Sequence, residues 1–125
     1  MLERIKAALR ARKGDDKGFS LVELAVVIVI IGILVAIAVP IFANMQESAN
    51  DKTGEAAAAN GAAMVAAEVA SDPTVTKAAL DLELAKLVDG NVSNVVTSNN
   101  DLGTFCVTAT YSGGSVGTAE KGPGC

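Results

Sequence analysis

Apolar positions are distributed very unevenly along this chain. From Leu24 to Ala43, twenty residues run without a charge, "LAVVIVIIGILVAIAVPIFA". At a rise of 1.5 Å per residue, such a helix spans about 30 Å, the thickness of a bilayer's hydrocarbon core. Gly32 and Pro40 lie inside the run. Proline removes an amide donor and clashes with the preceding turn, so a kink or local melting is expected between Ala36 and Pro40. Past Asn44 the isoleucines stop and alanine takes over. The helical pattern continues to about Ser71, where Asp72–Pro73 ends it, because a residue before proline avoids helical geometry. Ala49, Ala56, Ala63 and Ala70 recur at seven-residue spacing, with Met45 one turn before them. This stripe of small residues predicts a face for close approach of a sheet or another helix. The plainer alternative is a mildly amphipathic surface helix with no specific partner. Gly54 and Gly61 weaken the helix by about 1 kcal/mol each relative to alanine.

A second helix is expected from about Thr76 to Val88. Thr76 supplies the cap, Leu80, Leu84 and Leu87 an apolar face, and Gly90 the stop. Then the pattern shifts to strands, "VSNVVTS", "GTFCVTATYSGG" and "SVGTA", with Gly113–Gly114 as a hairpin signal. The predicted fold class is α+β: a long N-terminal helix, half membrane-spanning and half amphipathic, packed on a small antiparallel sheet.

Charge divides the chain at the edge of the apolar run. Residues 1–18 carry six cations against three acids, a net of +3; residues 19–125 carry four lysines against eleven acids, a net of −7. A basic segment ahead of a hydrophobic span marks a cytoplasmic flank, which places the N-terminus inside and the body outside. The acidic body speaks against strong nucleic-acid binding. One acid is out of place. Glu23 stands at the threshold of the apolar run, where a lone carboxylate facing lipid costs about 2.5–3.5 kcal/mol on insertion scales. It therefore calls for a cationic partner, or it is simply a favourable acid at a helix N-terminus.

The stretch "KGFSLVELAVVIVIIGILVAIAVPIF", closely from Gly18 to about Phe42, resembles the N-terminal signature of type IV pilins and pseudopilins. It joins a Gly-Phe junction, an acid four residues after the Phe, an unbroken apolar helix and a proline at a set depth. The remainder matches only in general plan. The resemblance implies a leader at residues 1–18, a transmembrane and polymerisation helix at 19–43 and a globular pilin domain at 44–125. It implies cleavage between Gly18 and Phe19 by a prepilin peptidase, N-methylation of Phe19, and pairing of Glu23 with a terminal amine. Phe19 and Glu23 share a helix face, so the amine of a neighbouring subunit competes with the chain's own for that carboxylate. The region around Ala36 to Pro40, with Gly32 and Pro40 as its kink or melting residues, also resembles one that can lose helical order on assembly in pilin-like filaments; a simple kink is the alternative. The implied partners are other pilin subunits, the peptidase, an assembly platform and, before assembly, the cytoplasmic membrane. The leader is longer than in many members, and Asp15–Asp16 sit close to the cut. A secretory signal ending at "AIA", Ala36–Ala38, is the rival reading, but the apolar run continues through Ile41 and Phe42.

Cys106 and Cys125 enclose eighteen residues. Outside the membrane they are expected to oxidise, contributing about 3 kcal/mol in the chain-entropy model. Such a bridge resembles the disulfide-closed C-terminal region of many pilins; two unrelated buried thiols are the alternative. The chain has no His and no Trp, no CxxC and no phosphate-binding glycine pattern. No catalytic residue, metal site or cofactor is therefore expected. The major pseudopilin of type II secretion is known for a calcium site near its C-terminus. Here only Glu120 follows Asp101 among the acids, which tilts the reading toward a pilus subunit. The expected function is a structural subunit of a surface filament serving adhesion, motility or DNA uptake. The alternatives are a secretion or competence pseudopilin, and a monomeric membrane-anchored binding module.

Overall fold

The computed structural model describes residues 2–6 and 19–125. They fall into two compact units, Met1–Ile41 and Phe42–Cys125. Helix α1, Leu21–Ser71, contributes to both, and its two parts are taken separately.

In the first unit, residues 2–6 are helical. Helix α1 starts just after Ser20, whose hydroxyl accepts from the Glu23 amide (3.3 Å) and whose carbonyl accepts from Leu24 (3.3 Å). All residues from Phe19 to Ile41 are exposed. The helix runs unbroken through Gly32 and Pro40, so the single subunit has no melted stretch at Ala36–Pro40.

The second unit is built on residues 42–71 of α1. Helix α2, Lys77–Leu84, follows, and a 3₁₀ turn at Ala85–Leu87 extends it almost to the expected end. Thr76 caps it as predicted, accepting from the Ala79 amide at 3.2 Å. Strands β1 (Val92–Thr97), β2 (Val107–Tyr111) and β3 (Thr118–Lys121) form an antiparallel sheet in that order. Val95, Ala109 and Ala119 lie in register across it. A bulge between Val92 and Asn94 resets the alternation of β1, so that Val92 and Val95 both reach the core despite their odd spacing.

The core corrects one expectation. Ala49, Ala56, Ala63 and Ala70 are all exposed, as is Met45 at 65%. The buried face of α1 is Gly54, Ala57, Ala58, Gly61, Val65 and Val69, a set with helical spacing. The glycines explain the choice. A Cβ on Gly54 would overlap the Tyr111 ring, and one on Gly61 would sit 2.8 Å from Val107 Cγ1 and 3.1 Å from Leu84 Cδ2. The residues that weaken the helix are the ones that let the sheet lie against it. Leu80 and Leu84 of α2, with Val65, Val95 and Val107, complete the fully buried set. Thr97, the buried polar residue, donates its hydroxyl to the Asn99 carbonyl (2.9 Å) and its amide to Asp81 of α2 (2.9 Å).

Candidate functional site

The apolar part of α1 is the first candidate. From Leu21 to Ile41 it exposes large hydrophobic side chains on every side, and α1 is long and apolar enough to cross a membrane. A helix apolar all round needs surroundings other than water. Glu23 sits at the third position of its first turn, opposite the capping hydroxyl of Ser20. The Ser20-x-x-Glu23 pattern is a capping-box sequence, a local signal that the resemblance obscured. Among the described residues, no ion pair or hydrogen bond reaches the Glu23 carboxylate. Phe19 is 84% exposed. Gly18, the other half of the expected cleavage junction, lies outside the described residues, as do residues 7–17 of the expected leader. Around Gly32 an added Cβ would meet nothing within 4 Å.

The second candidate ties α1 to the β2–β3 loop. Asp51 Oδ1 accepts from the Tyr111 hydroxyl (2.9 Å) and the Ser115 amide (3.0 Å), and Oδ2 accepts from the Ser115 hydroxyl (2.6 Å). The Val116 amide adds a weaker contact at 3.4 Å, and Asn50 donates to the Gly113 carbonyl at 3.0 Å. Gly113 and Gly117 take left-handed φ values of 78° and 83°, the backbone form that brings the loop back onto the helix. The Ser115 hydroxyl is the main reason the Asp51 carboxyl lies below its ordinary value; the Tyr111 hydroxyl and the two loop amides add to this, and partial burial opposes it. Burial pushes the Tyr111 phenol up, and its bond to Asp51 and that residue's charge push the same way. No local pattern points to this latch. Its partners stand about sixty residues apart in sequence.

The third is the C-terminal end. Cys106 and Cys125 are joined, with Cα atoms 5.0 Å apart, so the expected bridge is present and the alternative of two free thiols falls. The Gly124 amide donates to the Phe105 carbonyl at 3.0 Å, lying alongside the bridge. Glu120 lies near both sulfurs, but sulfurs bonded to each other offer no thiolate to a metal.

Comparison with known proteins decides what this arrangement belongs to. The family described as "Prokaryotic N-terminal methylation motif" matches residues 13–39. The "Type IV narrow pilus major component PilA5" of Thermus thermophilus is 63% identical over 43 residues, which cover 34% of this chain and 37% of that protein. A "Fimbrial protein" of Pseudomonas aeruginosa is 33% identical over 116 residues, 86% of this chain and 75% of its own length. The chain belongs to the type IV pilin family. A second P. aeruginosa "Fimbrial protein" matches to the same extent. No solved structure matches. The pilin fold expected from the sequence is present, as the long helix on a three-stranded antiparallel sheet. Pilins are structural proteins that polymerise into pili with other pilin subunits, and this pilin carries the apolar N-terminal helix and the C-terminal disulfide of that role.

Proposed function

We propose that this pilin is cut between Gly18 and Phe19 by a prepilin peptidase, N-methylated at Phe19, and held in the cytoplasmic membrane by residues 19–43. An assembly platform then builds it into a surface filament used for adhesion, motility or DNA uptake. The Phe19 amine of one subunit pairs with Glu23 of another, which fixes the axial register between packed helices. The Gly32–Pro40 segment supplies the place where the helix loosens on assembly, since Pro40 cannot donate the hydrogen bond that other residues would. The observation that carries this reading is a helix exposed on every side, with one carboxylate at its head that nothing in the described chain neutralises. A buried charge is tolerated when paired and strongly destabilising when not.

The test is intact-mass analysis of subunits from sheared surface filaments. A chain starting at methylated Phe19 is the expected result. Filament subunits that start at Val39, or that keep the leader, would overturn the processing scheme. The closed Cys106–Cys125 loop, with Glu120 the one acid after Asp101, favours a pilus over a secretion pseudopilus.

A further inference from the structure

Two dipeptides in the described chain carry the sequence signal for backbone rearrangement through a succinimide, Asn60–Gly61 and Asp89–Gly90. A following glycine leaves the attacking amide unhindered. In a flexible chain the asparagine is the faster of the two, because a neutral side-chain amide is a better electrophile than a carboxylate. The fold reverses that order. Asn60 and Gly61 lie within α1, where the Gly61 amide belongs to the helical ladder. Gly61 is also buried, facing Val107, Leu84 and Val95. Ring closure there requires unwinding a helix against the core. Asp89 and Gly90 lie in the exposed connection between the 3₁₀ turn and β1. Gly90 has φ 59°, with nothing within 4 Å of a Cβ position, and among the described residues no acceptor takes its amide.

We propose that Asp89 is the site at which this pilin converts to isoaspartate. The Gly90 nitrogen attacks Asp89 Cγ, and the amide hydrogen leaves with the carboxyl hydroxyl as one water. Water then reopens the ring at the α-carbonyl, so that the chain continues through the β-carboxyl. The product has the same composition and one more backbone carbon. The former α-carbonyl becomes a free carboxylate, and the turn bond it accepts from the Val92 amide at 3.0 Å is lost. Val92 is 3% exposed, so the extra carbon enters three residues ahead of the first core residue of the sheet.

The experiment follows the full chain, purified in detergent, through prolonged incubation at neutral pH. Isoaspartate is read by peptide mapping and by labelling with an isoaspartyl methyltransferase. In the folded chain the ratio of isoaspartate at 89 to that at 60 is above one; in urea with the disulfide reduced it is below one. Asp89→Glu, whose ring would be one atom larger, removes the folded-state signal. A ratio below one in the folded chain, the same ratio in both states, or a signal that survives Asp89→Glu overturns the proposal.

Discussion

The two parts of helix α1 invert the usual relation between hydrophobicity and burial. Residues 21–41 are almost wholly apolar and bury nothing; residues 42–71, rich in alanine and interrupted by Asp51, Lys52 and Glu55, supply one wall of the core. Apolar character creates a demand for burial, and only a complementary surface meets it. Residues 54–69 find theirs in the same chain, because Gly54 and Gly61 admit Tyr111 and Val107. On the function proposed above, residues 21–41 find theirs in the membrane or in other pilin subunits. On that proposal the first part reports on assembly and the second on folding, and changes to each should be visible in different measurements.

The largest effect is expected from Glu23→Ala. If Glu23 pairs as proposed, removing the carboxylate relieves the cost of placing it in lipid and leaves the amine of a neighbour unpaired. Processed monomer should accumulate in the membrane fraction while sheared filaments nearly disappear, with Glu23→Gln no worse than Ala. Normal filament yield from Glu23→Ala would mean that this half of the helix is an anchor alone. The counterpart in the globular unit is Cys125→Ser, which opens the loop closed on Cys106. It should lower folding stability by about 3 kcal/mol, read as the difference in denaturant midpoint between the two proteins under oxidising conditions. Under strong reduction that difference should vanish.

A smaller and sharper test makes the same substitution in both parts. Gly54→Ala forces a methyl into the Tyr111 ring and should cost about 1–3 kcal/mol, the usual range for overpacking, despite its gain in helix propensity. Gly32→Ala places the same methyl in open space and should leave the melting of the globular unit unmoved. If both shift the melt alike, the two parts are not separate in function.

Much of this division is legible in the sequence, and the part that is not has a physical reason. The charge-free run, the Thr76 cap and the three strands all rest on local patterns, and all appear where those patterns put them, to within a few residues. The buried face of α1 does not. Alanine occurs on every side of residues 56–67, so a seven-residue alanine repeat can be drawn on a face that packs against nothing. The glycines marked the true face, but their cost to an isolated helix is the opposite of their value in a packed one. The Asp51 latch is invisible for another reason. A carboxylate inside a helix looks solvated until Tyr111 and Ser115 arrive from the far end of the chain.

The smallest effect is expected from acid. The Asp51 carboxyl is held below its ordinary value of 3.8, chiefly by the Ser115 hydroxyl, and Asp72 is likewise lowered, chiefly by the Thr74 hydroxyl. For an acid whose folded value is depressed, the stabilisation is complete above the unfolded value and disappears as pH falls through the folded one. Thermal midpoints of the wild type should therefore drop below about pH 4. Asp51→Asn should start lower and fall less steeply, with the Asp72 share remaining. An equally steep fall in that variant would show that the latch carries no charge-dependent stability.

Tyr111 has one more consequence. It is the single tyrosine of a chain without tryptophan, so nearly all its ultraviolet emission comes from one ring. That ring lies over Gly54, and its hydroxyl is bonded to a carboxylate, an arrangement that drains the excited state by proton transfer. Tyrosine emission is therefore expected to serve as an optical gauge, dim while the β2–β3 loop is fastened to the helix and bright when it lets go. The gauge needs no dye and no label, and the apolar segment, which has no tyrosine, does not contribute to it.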